Sequence, residues 1–140
     1  MNPKSLLLFV SAVLLSLAPA CTGNVPPAGD PLEGTSWELE SYAGTPVLEG
    51  TTLTAAFRDG RLSGSSGCNS YGGAYRVQGQ DLEVEDLFAT LMACLGPEGI
   101  LDQEARFLAL LGEARDFELA GGRLTILASG GEALVFVPAD

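Results

Sequence analysis

The sequence predicts a mainly β (α+β) domain: a curved antiparallel sheet or half-open β-barrel with one packed helix. Three observations lead to this prediction. Most segments alternate apolar and polar residues, Gly-rich turns separate these segments at short intervals, and a single later stretch has helical periodicity instead. Alternation with one polar face is typical of antiparallel strands. A chain of 140 residues is long enough for one such domain of about seven to nine strands.

Residues 1–20 are predicted to be an export signal and not part of the fold. Lys4 precedes the apolar run of residues 5–17, and small residues end at Ala20, directly before Cys21. This pattern fits ordinary secretory cleavage. It also fits the lipoprotein type of signal, in which Cys21 becomes the lipidated first residue. We favour the lipoprotein type because Cys stands at the one position that such a signal requires.

Residues 21–31 are predicted to be an extended linker, rich in Pro and Gly, ahead of a folded domain over residues 32–138. Lys4 is the only Lys, so its removal with the signal leaves six Arg against 18 acidic residues, a formal charge of −12. Such an acidic chain is not expected to bind nucleic acid, and an anionic membrane surface would repel it. A lipid tether, rather than a basic patch, is therefore expected to hold it at the membrane.

Five alternating segments are the candidate strands of the sheet. They lie at residues 37–42, 52–57, 81–85, 116–119 and 123–128. The pairs Asp59-Gly60, Gly121-Gly122 and Gly130-Gly131 are typical of the hairpin turns that join antiparallel strands. The final run, residues 133–137, is apolar on both faces and predicts a more deeply buried strand.

Residues 97–114 differ from the rest because their apolar residues recur at helical spacing. The predicted apolar stripe consists of Leu101, Ala105, Leu108 and Leu111, widened by Ile100, Phe107 and Leu110. The opposite face is mostly acidic, whereas a membrane-surface helix would carry basic residues there, so we expect the stripe to pack on the sheet. The predicted core consists of Trp37, Leu39, Phe57, Leu82, Val84, Leu108, Leu111, Leu124, Ile126 and Phe136.

The chain contains three cysteines, an odd number. If Cys21 carries lipid, Cys68 and Cys94 remain as a pair in an exported, oxidising setting, and we expect a disulfide between them. Closing that loop would stabilise the fold by roughly 3.5 kcal/mol in the chain-entropy model. The alternative is two buried free thiols. No metal site is expected, because two Cys without any His are too few ligands for zinc.

Residues 62–75 are too rich in Gly for a regular strand, which predicts a bulged and sharply bent ribbon. Asn69 is expected to hold a turn by bonding its own backbone. Tyr71 and Tyr75 would share one face of an unbroken strand, and a bulge would break that parity. The segment is either a corner of the barrel, fastened by the disulfide, or a binding site. We favour the corner.

Two runs of the sequence together resemble the META domain, also called the HslJ-like family. The first run, residues 67–75, matches the family pattern Gly-Cys-Asn-x-Tyr-x-Gly-x-Tyr, and the second, residues 90–94, matches Thr-x-Met-Ala-Cys. The matching positions are Gly67, Cys68, Asn69, Tyr71, Gly73 and Tyr75 in the first run, and Thr90, Met92, Ala93 and Cys94 in the second. The similarity extends over about residues 32–137.

The resemblance implies a bacterial envelope lipoprotein or periplasmic domain, linked in some members with stress or drug tolerance. It brings no established catalytic activity. The family fold is likened to a half-barrel that can bear a hydrophobic cleft, so a lipid or a protein remains open as the ligand.

The residues themselves give little support to an enzyme, and no catalytic residue or cofactor is expected. Ser65 and Ser66 lie in a Gly-rich stretch, but the chain has no His to act as their base, and its only Lys lies in the signal. Glu83 and Glu85 alternate along a predicted strand, where paired acids are usually the solvent-facing side.

We therefore expect a non-catalytic, monomeric envelope lipoprotein that supports tolerance of stress or drugs. Its expected partners are the membrane, through the N-terminal lipid, and a small hydrophobic molecule or an envelope protein. Its expected location is the outer membrane or the periplasmic face of the envelope. A soluble periplasmic or secreted binding or inhibitor module is the alternative, and a hydrolase is a third.

Overall fold

The computed structural model describes residues 29–140, which form nine β-strands and one α-helix. The strands are β1 Ser36–Tyr42, β2 Thr45–Pro46, β3 Thr54–Arg58, β4 Arg61–Ser65, β5 Ser70–Gln78, β6 Asp81–Ala89, β7 Ala114–Ala120, β8 Arg123–Ala128 and β9 Ala133–Pro138. The helix, α1, is Ile100–Gly112. The predicted signal, Cys21 and most of the predicted linker lie outside the described residues.

The strands form one antiparallel sheet in the order β2-β1-β3-β4-β5-β6-β7-β8-β9, and β1 also pairs with β9. This pairing closes eight of the strands into a barrel, with the two-residue β2 attached to β1. The mainly β prediction is confirmed, and the half-open barrel expected from the sequence is in fact closed. The weakest junction lies between β6 and β7, where only Asp81 and Asp116 are ladder partners.

Turn chemistry explains several of the hairpins. Asp59 and Gly60, between β3 and β4, have φ of 52° and 70°, and Gly121 and Gly122, between β7 and β8, have φ of 58° and 73°. Two successive positive φ angles match the right-handed twist of the flanking strands. Gly131, between β8 and β9, also has a positive φ of 81°. The predicted hairpin turns are therefore confirmed.

The barrel interior is filled by side chains. Phe107 of the helix lies edge-on to Tyr71 and Phe136, with ring centroids 5.4 and 6.4 Å away, and Phe57 meets Tyr75 at 4.9 Å. Such edge-to-face contacts are the favoured geometry of aromatic pairs. Eight of the ten predicted core residues are buried, as expected, while the remaining two, Val84 and Leu108, are only half-buried.

The face that the helix turns to the barrel overlaps the predicted stripe only in part. Its buried residues are Ile100, Gln103, Glu104, Phe107, Leu110 and Leu111. Four residues of the predicted stripe are therefore buried as expected. Leu101 is half exposed, Ala105 is exposed and Leu108 is half-buried, so the prediction is wrong for these three. The physical reason is that Gln103 and Glu104 have polar partners inside the fold, which bring their side of the helix inward. Within residues 29–140, no helix is long and apolar enough to cross a membrane.

Candidate functional site

The first motif run forms the corner between β4 and β5. Ser66 donates its backbone N–H to the carbonyl of Asn69 at 2.8 Å, which closes a tight turn. Gly67 sits in this turn with φ of 100°, a conformation that L side chains rarely adopt. Its Cβ position would also lie 3.3 Å from Leu53. The corner predicted from the Gly-rich sequence is therefore present.

A buried carboxylate from the helix holds this corner in place. Glu104 accepts hydrogen bonds from the Ser66 hydroxyl at 2.5 Å, the Asn69 backbone N–H at 2.9 Å and the Asn69 side-chain amide at 2.8 Å. Burial alone would raise the pKa of Glu104, but these donors outweigh it and hold the pKa below its ordinary value. The carboxylate is therefore charged at neutral pH and serves as an anchor for the corner.

Sequence reasoning missed Glu104 because an acidic residue in an amphipathic helix is usually assigned to solvent. One signal could have found it. Glu104 follows Ile100 by four positions and precedes Phe107 by three, so it falls on the same helix face as two buried apolar residues. The neighbouring Gln103 is buried for a similar reason, since it bonds the backbone of Leu48 and the hydroxyl of Thr51.

Asn69 connects the corner to the second motif run. Its side-chain oxygen accepts hydrogen bonds from the backbone N–H of Met92 at 2.7 Å and from the hydroxyl of Thr90 at 2.9 Å. The same side chain donates to Glu104 through its nitrogen. The predicted role, a turn held by Asn69 bonding its own backbone, is therefore wrong. The side chain joins the two runs and the helix instead.

A disulfide between Cys68 and Cys94 provides the second connection between the two runs, with Cα atoms 5.9 Å apart. The predicted pairing is present. Together with the Asn69 contacts, it attaches the segment after β6 to the corner at three points: Thr90, Met92 and Cys94. Ala93 is exposed between the last two.

The two motif tyrosines are structural parts of the barrel. The bulge predicted within residues 62–75 is wrong, because it lies in β6 instead, where Asp86 has a positive φ of 51°. Tyr71 and Tyr75 are therefore both buried on one face of β5. The Tyr71 hydroxyl donates to the carbonyl of Thr54 at 2.7 Å. Burial raises the pKa of both hydroxyls.

Near the first residues of the domain, the Tyr75 hydroxyl lies 2.6 Å from a carboxylate oxygen of Asp30 and 3.0 Å from one of Glu33. After burial, these two carboxylates are the next causes that raise the pKa of Tyr75. Tyr75 thus ties the start of the domain to β5.

Two glycines near the corner allow backbones to approach closely. A Cβ on Gly64 would lie 2.0 Å from the carbonyl oxygen of Thr54, and one on Gly73 would lie 2.8 Å from that of Glu85. Real Cβ atoms essentially never come so close, so both positions require Gly. The Gly73 contact occurs opposite the bulge in β6.

Four large apolar side chains close together in the described part of the chain are exposed: Phe88, Leu91, Met92 and Leu95, here called the apolar ridge. These side chains are 59, 97, 59 and 103% exposed, respectively. They lie on or beside the second motif run, and residues 87–97 contain no charged side chain. A single exposed apolar residue is common on protein surfaces, but four large ones within eight residues of chain favour an interaction site.

The carboxylates and hydroxyls considered for catalysis are already engaged. Glu83 and Glu85 are exposed and form ion pairs with Arg76 at 3.1 and 3.2 Å, which confirms their predicted solvent-facing side. Ser66 is buried against the helix carboxylate, and the Ser65 hydroxyl accepts the N–H of Gly67 at 3.2 Å.

A polar groove of about 490 Å³ lies at the β6–β7 junction. It is lined by Arg76, Gln78, Asp81, Glu83, Arg115 and Asp116. Groups of both charges are mixed along it, and two of them already pair with each other, so the groove has no single ligand preference.

A closed antiparallel barrel, one helix and a disulfide-fastened corner define this protein as a small β-barrel domain. A family model described as the META domain matches residues 30–140. The chain therefore belongs to the META-domain family, as its two motif runs predicted.

Solved structures agree with this assignment. A protein from Burkholderia xenovorans, determined by NMR, is 26% identical with a TM-score of 0.64, over 77% of this chain and 83% of that one. A second NMR structure is 25% identical with a TM-score of 0.62, over 76% and 91% of the two chains. A DUF4847 family protein from Bacteroides vulgatus shares the fold at 14% identity and a TM-score of 0.57, over 76% and 95%. No curated protein gives a significant match.

Proposed function

We propose that this chain is a non-catalytic envelope lipoprotein that binds another envelope component through the apolar ridge and thereby supports the envelope under stress. The observation that carries the proposal is the ridge itself. Its side chains are exposed although the disulfide and Asn69 hold their backbone in place.

Energetics favour the ridge as the binding surface. Covering an exposed Leu, Met or Phe contributes about 1.5–3 kcal/mol for each side chain. A surface ion pair, such as those of Arg76, contributes only about 0.2–1 kcal/mol. Contact with the ridge would therefore outweigh any polar contact elsewhere on the described surface.

The filled interior supports a surface role over a ligand held inside the barrel. Phe57, Phe107 and Phe136 are fully buried at its centre. Packing of this kind resists the insertion of further groups, because overpacking a core costs about 1–3 kcal/mol. A small apolar ligand, the other partner expected from the sequence, would have to displace these rings.

The non-catalytic part of the proposal is supported by the state of the corner. Glu104 is the most buried carboxylate there, and its low pKa makes it a weak general base and a poor acid near neutral pH. Its hydrogen bonds hold Ser66 and Asn69 at the corner.

The lipid anchor is tested by metabolic labelling with a radiolabelled fatty acid. We expect label on the wild-type chain and none on Cys21→Ser, while Cys68→Ser, a matched control, keeps it. Unlabelled wild type found in the aqueous fraction would instead support the soluble periplasmic or secreted alternative.

Binding through the ridge is tested by complementation of a strain that lacks this chain, under detergent or antibiotic stress. We expect Leu91→Ser/Leu95→Ser to fail to restore growth at equal protein levels. Leu119→Ser/Leu127→Ser is the matched control, because these leucines are 40 and 37% exposed on β7 and β8. Full restoration by the ridge variant would contradict the proposal.

A further inference from the structure

We propose that the partner segment covering the apolar ridge is a cationic amphipathic polypeptide. Its apolar face would lie on the ridge and its Lys or Arg side chains against the carboxylates beside it. This inference rests on the proposed function and specifies the chemistry of the partner.

A groove extends the ridge toward the helix. The groove has a volume of about 310 Å³ and is lined by residues 94–102. Leu95 and Leu101, both exposed, supply apolar surface, and Glu98 and Asp102 supply carboxylates. Apolar and negatively charged groups thus line one continuous surface, which is the pattern that an amphipathic basic segment complements.

The charge around this surface is one-sided. Residues 77–105 contain seven acidic side chains and no Lys or Arg. Two of the acids, Glu83 and Glu85, pair with Arg76, and Glu104 is buried at the corner. The groove carboxylates therefore face solvent without a basic residue in their own segment.

The nearest basic residue along the helix is already engaged. Arg106 follows Asp102 by four positions, but it pairs with Glu132 in the loop before β9. Among the ion pairs of residues 29–140, none includes Glu98 or Asp102. Both carboxylates are thus available to a cation from outside the molecule.

The same charges argue against two other occupants. A bilayer with anionic headgroups would be repelled by the acidic rim. A second copy of this chain would bring the same acidic groups to the contact, and like charges disfavour it. A basic segment gains from both the apolar ridge and the rim, so the observations favour it.

The experiment uses the exported full chain carrying Cys21→Ser, with its disulfide formed. The probe is a fluorescein-labelled amphipathic helical peptide made of Leu and Lys, and the matched probe has Glu in place of Lys. Fluorescence anisotropy at low and moderate salt measures binding. We expect the Leu/Lys peptide to bind and the Leu/Glu peptide to bind at least tenfold more weakly.

Substitutions separate the two parts of the surface. Leu91→Ser/Leu95→Ser should weaken binding of the Leu/Lys peptide at least tenfold. Glu98→Gln/Asp102→Asn should weaken it several-fold at low salt and reduce the salt dependence. The control variant Glu83→Gln/Glu85→Gln removes two negative charges away from the groove and should leave binding of the Leu/Lys peptide nearly unchanged. Circular dichroism confirms that each variant is folded.

Equal weakening by both charge variants would overturn the inference, because it would show attraction to overall charge alone. If the chain floats with zwitterionic vesicles and does not bind the peptide, the ridge binds a bilayer and the inference is wrong. If sedimentation velocity shows a dimer of the chain that Leu91→Ser/Leu95→Ser abolishes, the ridge binds a second copy and the inference is wrong. If the Leu/Lys peptide does not bind but Leu91→Ser/Leu95→Ser still fails to restore growth, the proposed partner class is wrong and the proposed function stands. If that variant complements fully, the proposed function fails as well.

Discussion

Asn69 uses one side chain to connect three parts of the chain. Its oxygen holds Thr90 and Met92, its nitrogen holds Glu104, and its neighbour Cys68 forms the disulfide. An amide can do this because it offers an acceptor with two lone pairs and a donor on the same group. Neither Asp nor Leu, both close to Asn in size, could satisfy all of these partners at once.

Glu104→Gln should lower the free energy of unfolding by about 2–4 kcal/mol at pH 7, because it replaces hydrogen bonds to a buried charged group. The folded-state pKa of Glu104 lies below the ordinary 4.5. Its contribution is therefore fully present above that value and disappears as the pH falls through the lowered pKa. Urea unfolding of both proteins at pH 7 and pH 3 measures the difference, which should shrink at pH 3. A difference that stays constant would contradict a charged Glu104.

Gly64→Ala should be strongly destabilising, because its Cβ would lie 2.0 Å from a backbone oxygen that cannot rotate away. We expect a loss of at least about 3 kcal/mol, at the upper end for an overpacked site. Gly130→Ala is the matched control, since its nearest neighbour is 4.0 Å away and its φ is not positive. The midpoints of thermal unfolding of the two variants measure the difference. Equal midpoints would contradict the close approach of the Thr54 backbone to Gly64.

At the scale of elements, the helix shows most clearly what the sequence can and cannot predict. Apolar spacing located the helix to within a few residues at each end, because Ile100 to Leu111 follow a helical period. It predicted the buried face of the helix only in part, because the positions of apolar residues do not show that Gln103 and Glu104 bond to groups more than 30 residues away in the chain. The disulfide was predictable from cysteine parity, whereas the role of Asn69 depended on a partner in another element.

The segment between β6 and the helix should depend on the disulfide for stability. Cys68→Ala/Cys94→Ala should lower the free energy of unfolding by about 2–4 kcal/mol, since a closed loop with 26 residues of separation is opened. The contacts of Asn69 should still hold the segment in the folded state, so far-UV circular dichroism should stay the same. Guanidinium unfolding of the variant, of the oxidised wild type and of the reduced wild type measures the loss of stability. A reduced wild type as stable as the oxidised one would contradict it.

For the whole molecule, alternation and turn residues were sufficient to predict a sheet that curves, with Gly and Asp at its hairpins. Closure was not predictable, because it depends on whether β1 and β9 meet, and no local pattern encodes that pairing. The candidate surface was also missed. Met92 was recognised as a motif residue, but exposure of its neighbours Leu91 and Leu95 follows from the tertiary structure alone.

A native mass spectrum of the exported chain lacking lipid should show the bare protein mass. The reason is that the interior is occupied by Phe57, Phe107, Phe136 and the leucines around them. The spectrum of a core variant, Phe107→Ala, recorded with added fatty acid, is a useful comparison, because the cavity it creates could accept the acyl chain. A reproducible adduct of lipid mass on the wild type would show that the barrel opens to hold a ligand.

The pairing of β1 with β9 also determines when this protein can fold. Trp37 is the ladder partner of Pro138, so nearly the whole domain lies between two neighbours in the barrel. Contacts this distant in sequence are slow to form, because the intervening chain must first be ordered. A chain emerging from a ribosome or a translocation pore has no closed barrel until its last strand is released. Until then the chain can still pass through a pore, and the loss of β9 would leave one edge of β1 and one edge of β8 unpaired.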